Sequence, residues 1–288
     1  MKLTLLLAGA VAAALCSESG SDSELQTDVK THQVRYAYTE PTNPAHRGIY
    51  DRLKAMRVLE RLSDYLSPLQ LPRPLTLKLQ GCDGRMNAYY WDDNVMVCYE
   101  YFDFLLKVAP QMPTPEGLTR HEALSGMTAD VFLHETGHAV FDMLGIPFLG
   151  REEDAADQFS ALAILRMSMD DARRLFLGVA YLGSKEAQQE MAKPFAQTDF
   201  ADVHELPAQR YFNVLCMAYG ADPNLFADAV TSWHLPEQRA KNCRYEYRRF
   251  EYAFHILIDP HIDQTLVKEV RAQKLLAFPE LQTVSWDP

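Results

Sequence analysis

The sequence predicts an α+β fold in which helices dominate, with a small sheet in the N-terminal part of the chain. Short segments of alternating apolar residues occur before residue 100, and long segments with apolar residues at helical spacing follow them. The chain has 288 residues, of which 48% are hydrophobic, so it is long enough for one large core or for two lobes around a cleft.

The individual elements follow from the same patterns in chain order. Apolar residues at helical spacing predict a first helix over residues 47–66, and a proline-rich stretch at 68–74 ends it. Alternation predicts a strand at 75–79 and a hairpin over 87–99. Further helices are predicted, before an irregular tail, at 100–108, 119–144, 151–167, 170–192, 207–219, 223–232 and 236–258.

The first residues have the layout of a secretory signal peptide. Lys2 gives a basic start, and a short apolar run and a Ser- and acid-rich stretch follow it. We expect residues 1–16 to be the signal, 17–33 a disordered leader and 34–288 one domain of a secreted or periplasmic protein. Lipid anchoring through Cys16 is disfavoured, because the residue before it is too large for such a site.

The charge balance restricts the partners of the chain. The formal net charge is −11, and no stretch is dense in Lys or Arg. This pattern argues against nucleic acid as a partner, and against a membrane beyond the signal segment, because both attract basic proteins. A peptide or protein substrate is compatible with it.

Four cysteines follow the signal, and an even number in an exported protein suggests disulfides. We expect Cys82 to pair with Cys98, because both lie in one compact β-rich stretch. We expect Cys216 to pair with Cys243, because they fall on two adjacent predicted helices. Four cysteines allow three connectivities in all.

Residues 134–138, His-Glu-Thr-Gly-His, indicate a metal site on the predicted helix 119–144. Residues four apart lie on one helix face, so His134 and His138 can direct two imidazoles at one zinc ion. Glu135 lies beside them and is predicted to be the general base for a zinc-activated water. Gly137 costs a helix about 1 kcal/mol relative to alanine, which indicates that another element approaches closely there.

A catalytic zinc site also needs a third protein ligand and one open position. The helix after the motif begins with several acids, and Glu153 and Asp157 lie four apart on one face. We predict Glu153 as the third ligand and Asp157 as the acceptor that orients a ligand histidine. The segment 145–150 between the two predicted helices is long enough to bring the start of the second helix back to His138. Glu152 and Asp154 remain alternatives for the third ligand.

A hydrolase of this kind needs a donor for the oxyanion of its intermediate. His204 is the first candidate, followed by Tyr211 and Arg210, because all three lie near the start of a later helix that can fold back over the cleft. Residues 87–91 are a candidate edge strand, which can hold an extended peptide by main-chain pairing.

In addition to this spacing, the sequence resembles the gluzincin branch of zinc metallopeptidases, and more narrowly a bacterial metallopeptidase family labelled as a domain of unknown function. The resemblance implies a zincin-like fold, zinc ligands at His134, His138 and Glu153, and peptide hydrolysis. Most gluzincins place the third ligand farther along the chain than Glu153. The segments that carry the resemblance are 87–90, 97–100, 134–159, His204 with 209–213, and Cys216 with 219–220.

The function predicted from the sequence is therefore an exported zinc peptidase. Two alternatives remain at this level. One is a binding or scaffold protein that holds zinc without turnover, and the other is a zinc hydrolase that acts on a non-peptide amide or ester.

Overall fold

The computed structural model describes residues 33–273, so the predicted signal and nearly all of the predicted leader lie outside the described part. The predicted helix-dominant α+β class is confirmed. The strands are β1 (Val34–Tyr38), β2 (Leu75–Gln80), β3 (Ala88–Trp91) and β4 (Asn94–Cys98). The helices are α1 (Arg47–Ala55), α2 (Val58–Leu66), α3 (Tyr99–Val108), α4 (Arg120–Leu144), α5 (Glu152–Leu165), α6 (Met169–Met191), α7 (Pro207–Ala221), α8 (Asp228–Thr231), α9 (Glu237–Leu257) and α10 (Gln264–Ala272).

The four strands form one sheet in the order β1-β2-β4-β3. β1 and β4 pair with β2 in parallel, and β3 pairs with β4 as an antiparallel hairpin. The turn of this hairpin is Asp92-Asp93, both at positive φ, which matches the twist of a two-residue hairpin loop. β3 therefore lies at the sheet edge, where the sequence predicted an edge strand.

Several predicted elements need correction. The helix expected over 47–66 is two helices, because Arg57 between them adopts φ 54°. β1 was not predicted, although it buries Val34 against the core. The tail after residue 258 contains α10, which begins at Asp263 as an N-cap whose side chain accepts from two backbone amides.

Helix α4 runs through the centre of the molecule and is buried along most of its length. A reciprocal capping box of Thr119 and Glu122 starts it, and Gly145 at φ 61° ends it. α5 crosses α4 at Gly137, where a Cβ atom would lie 3.2 Å from the Cα of Ala156. The predicted close approach at Gly137 is therefore confirmed, and α5 is the approaching element.

Two disulfides are present, and they join the cysteines that the sequence paired. The Cα atoms are 5.6 Å apart in Cys82–Cys98 and 4.9 Å apart in Cys216–Cys243. The first joins the segment after β2 to the end of β4, and the second joins α7 to α9. Two disulfides indicate an oxidising, extracellular environment. Within residues 33–273, no helix is long and apolar enough to cross a bilayer.

Candidate metal centre

Three donor atoms converge where α5 crosses α4. The Nε2 atoms of His134 and His138 are 3.3 Å apart, and they lie 3.1 and 3.4 Å from Oε2 of Glu153. Ligands around a tetrahedral zinc ion with bonds of about 2.0–2.1 Å are separated by about 3.3–3.4 Å. The three atoms thus have the mutual spacing of three corners of such a site.

Carboxylates orient both imidazoles of α4. Nδ1 of His134 lies 2.8 Å from Asp157, and Nδ1 of His138 lies 2.9 Å from Glu152. An Nδ1–H that donates to a carboxylate leaves the Nε2 lone pair directed at the cluster, which is the arrangement of metal-ligating histidines. Asp157 occupies the position that the sequence predicted for it. The sequence offers Glu152 only as an alternative ligand, whereas the structure places its carboxylate at Nδ1 of His138.

The acidic side chains at the start of α5 point in different directions. Glu153 and Asp157 lie one turn apart on the face toward α4. Asp154 points away from this face and pairs with Arg151 at 3.4 Å. Among the acids that the sequence left open, the structure therefore brings Glu153 to both Nε2 atoms.

His204 reaches the same carboxylate from the loop before α7. Its Nε2 lies 3.0 Å from Oε2 of Glu153, and its Nδ1 lies 3.0 Å from Asp202. Arg151 holds the loop, because its guanidinium donates to the carbonyl of His204 and pairs with Glu205 at 3.0 Å. This segment reaches back to the cluster, and the donor atoms of His134, Glu153 and His204 all lie within 4.8 Å of one another.

The two candidates on α7 have different surroundings. Arg210 points at α5 and donates from Nε and Nη2 to Asp157, at 2.7 Å each. Tyr211 is buried, and its hydroxyl donates to the carbonyl of Trp233 at 2.7 Å. Consecutive helical residues point about 100° apart, so Tyr211 faces away when Arg210 faces α5. The structure therefore brings Arg210 to the cluster, whereas it places the hydroxyl of Tyr211 at Trp233.

The electrostatics of the cluster favour a cation. Burial disfavours the imidazolium of His134, but its hydrogen bonds to Asp157 and Glu153 outweigh burial and raise its pKa to about 10. The pKa of Glu153 lies well below its ordinary value, because three imidazoles outweigh its burial. A divalent cation at this position would supply the positive charge that the carboxylates favour, and it would replace the protons on Nε2 of the imidazoles. Two imidazoles and a carboxylate are also a donor set of catalytic zinc sites.

A family described as "Putative metallopeptidase" matches residues 38–258, which is well over half of the chain. The chain belongs to this family. The matched range contains every residue of the cluster, and membership in a metallopeptidase family implies a bound metal and suggests a peptidase. No curated protein and no solved structure matches the chain.

In this member of the metallopeptidase family, β3 lies beside the metal-site helix. The hydroxyl of Tyr90 on β3 donates to Asp142 on α4 at 2.7 Å, and Arg73 pairs with the same carboxylate at 2.7 Å. Arg73 also pairs with Asp93 in the hairpin turn at 2.6 Å. These contacts fix the sheet edge relative to the helix that carries His134.

Proposed function

We propose that this chain is a zinc-dependent peptidase in which His134, His138 and Glu153 hold the ion. The observation that carries the proposal is the convergence of their three donor atoms within 3.1–3.4 Å. Bound zinc would lower the pKa of a water molecule and polarise the carbonyl of the scissile bond. The short connector of residues 145–151 is compatible with this ligand set, because Gly137 lets α5 approach α4 closely.

Glu135 is the proposed general base. It follows His134 on α4, it is 7% exposed, and burial raises the pKa of its carboxyl. A carboxylate with a raised pKa is a better proton acceptor near neutral pH than an exposed one. Glu135 takes a proton from the attacking water and returns it to the leaving nitrogen.

His204 is the proposed oxyanion donor. The carboxylate of Asp202 holds its Nδ1, and its Nε2 lies at the edge of the ligand set. Hydrogen bonds to Glu153 and Asp202 raise the pKa of His204 although burial opposes them, which favours the form of the ring that donates from Nε2. A preorganised donor of this kind stabilises the charge that develops on a carbonyl oxygen.

The proposed substrate is an extended peptide that pairs with the free edge of β3. An edge strand offers main-chain donors and acceptors to a peptide of any sequence. β3 lies at the sheet edge and contacts the helix that bears Glu135. The disulfides support an exported enzyme, which meets such peptides outside the cell.

The experiment that tests this function compares Glu135→Gln with wild type. Glu135→Gln should bind one zinc ion per chain and lose hydrolysis of a broad peptide library, because the ligands remain and the base is gone. Glu237→Gln, at the exposed start of α9, is the control and should keep both properties. A wild-type protein that binds zinc without cleaving the library would support the non-catalytic alternative, and cleavage of ester or non-peptide amide substrates alone would support the other.

The ligand assignment has its own test by metal analysis. Glu153→Ala should lose zinc because it removes a donor atom, whereas Asp154→Ala should keep zinc because Asp154 pairs with Arg151. Loss of zinc in Asp154→Ala alone would overturn the assignment of Glu153.

A further inference from the structure

The contact between Arg210 and Asp157 lies directly behind the metal cluster. Nε of Arg210 donates to Oδ2 of Asp157 and Nη2 donates to Oδ1, both at 2.7 Å. The same Oδ1 lies 2.8 Å from Nδ1 of His134. An uninterrupted chain of hydrogen bonds therefore runs from α7 through α5 to a proposed zinc ligand on α4.

The geometry of this chain restricts the Asp157 carboxylate. A single hydrogen bond to His134 would leave the carboxylate free to turn about its Cβ–Cγ bond. The planar guanidinium of Arg210 engages both oxygens at once, and a bidentate pair of this kind fixes the carboxylate plane. The direction of the acceptor presented to His134 is thus set by Arg210.

The charge of Arg210 has a second effect at this position. Its guanidinium faces Asp157, Glu186 and Asp130, which come from α5, α6 and α4. Asp130 is further held by the hydroxyl of Ser160, which donates to it at 2.6 Å. The guanidinium therefore counters the mutual repulsion of these carboxyl groups at the junction of the three helices.

We propose that Arg210 is a positioning residue of the metal centre, which holds Asp157 so that Nε2 of His134 stays directed at the ion. This inference rests on the proposed metal site and deepens it. The side-chain hydrogen bonds of Arg210 go to Asp157, so Arg210 acts on the orientation of His134 through that carboxylate. It also ties the centre to α7, the helix that follows the loop carrying His204.

The test compares two arginines of the chain that each form a bidentate pair with an aspartate, Arg210 through Nε and Nη2 and Arg173 through Nη1 and Nη2. Arg173 forms a bidentate pair with Asp228 at 2.8 and 2.6 Å, with exposures close to those of Arg210 and Asp157, and none of its recorded contacts involves the metal cluster. Zinc affinity and thermal unfolding of the metal-free protein are measured for Arg210→Met and Arg173→Met. Each substitution removes one partly buried bidentate arginine–aspartate pair, so both should lower the melting temperature.

The expected difference is in zinc affinity. Arg210→Met should bind zinc about 10–100-fold more weakly, the usual effect of losing a group that orients a metal ligand, while Arg173→Met should bind as wild type does. Arg210→Lys keeps the positive charge and loses the bidentate geometry, so its zinc affinity should lie between those of Arg210→Met and wild type. Asp157→Asn combined with Arg210→Met should weaken binding no more than the stronger single variant, because both act through one path.

Cobalt replaces zinc in a second measurement that does not depend on turnover. The visible absorption of the cobalt-loaded protein reports the ligand geometry, and it should change in Arg210→Met and not in Arg173→Met. If Arg210→Met is not soluble, Arg210→Lys is measured instead and should show the smaller shift. Wild-type affinity and spectrum in the Arg210 variants would overturn the inference, whereas zinc binding without peptide hydrolysis in wild type would overturn only the proposed function.

Discussion

Replacing Gly137 with alanine should damage the metal centre more than it damages the fold. The added Cβ would lie 3.2 Å from Cα of Ala156 and 3.3 Å from two atoms of Phe159, all on α5. Ordinary contacts between carbon atoms begin at about 3.5 Å, so α5 must move by at least about 0.2–0.3 Å. Glu153 and Asp157 lie on α5 within one turn of Ala156, so a shift of α5 at this contact moves both carboxylates relative to α4.

The net stability change should be small because two effects oppose each other. Alanine gains about 1 kcal/mol over glycine in a helix, and overpacking costs about 1–3 kcal/mol. The free energy of unfolding of the metal-free protein should therefore fall by about 0–2 kcal/mol. A binding constellation must be held within about 0.5 Å, and a shift of several tenths of an ångström takes up much of that range, so zinc affinity should fall by up to about tenfold.

Calorimetric titration with zinc and chemical unfolding of the metal-free protein measure the two quantities separately. Gly48→Ala is the matched control, since this exposed helical glycine has nothing within 4 Å of a Cβ, and zinc affinity should not change there. Gly126→Ala should behave differently again, because its Cβ would lie 2.1 Å from the carbonyl oxygen of Leu175 on α6 and must destabilise the fold. Wild-type zinc affinity in Gly137→Ala would refute the coupling between this crossing and the ligand set.

Two further predictions concern His204 and Asp259. His204→Ala should keep zinc affinity and lose about 10²–10³-fold in the hydrolysis rate, as expected for loss of an oxyanion donor, and a loss of zinc instead would make His204 a fourth ligand. Burial opposes the charge of Asp259, but hydrogen bonds from Arg166 and His255 hold its pKa below the ordinary value. A lowered pKa stabilises the fold above the unfolded value of about 3.9, and this contribution is lost as the pH falls through the folded value. The difference in unfolding free energy between wild type and Arg166→Met should therefore be largest near neutral pH and shrink below about pH 4, and a constant difference in urea titrations would contradict this.

The parts of the site that lie on one helix face were accessible from the sequence. His134 and His138 share a face because they are four apart, and the same holds for Glu153 and Asp157. The helical period alone therefore predicted which side chains could meet. Gly137 added information of a different kind, because an unfavourable residue within a helix indicates a packing requirement. α5 at the Gly137 crossing meets that requirement.

The directions of side chains near the ends of helices could not be predicted from the sequence in the same way. Tyr211 and Arg210 are neighbours in sequence, and only the rotation of α7 decides which of them faces α5. Acids in a first helical turn also complement the helix dipole, so the contact of Glu152 with His138 had no separate signal. The division of 47–66 into two helices depends on Arg57 at positive φ, a conformation that arginine rarely adopts.

The contacts that could be predicted join residues that are close in the sequence, and the contact of Arg210 with Asp157, which could not be predicted, joins distant residues. His134 and Glu153 are 19 residues apart and are joined by one short connector, so local spacing restricts their meeting. Arg210 and Asp157 are 53 residues apart, with the whole of α6 between them, and no periodic pattern links their positions. A lone arginine near the start of a helix predicts nothing until the partner is placed by packing. The proposed ligands and Asp157 lie on two adjacent helices and follow from local spacing, while Arg210, which holds Asp157, is placed by packing between distant segments.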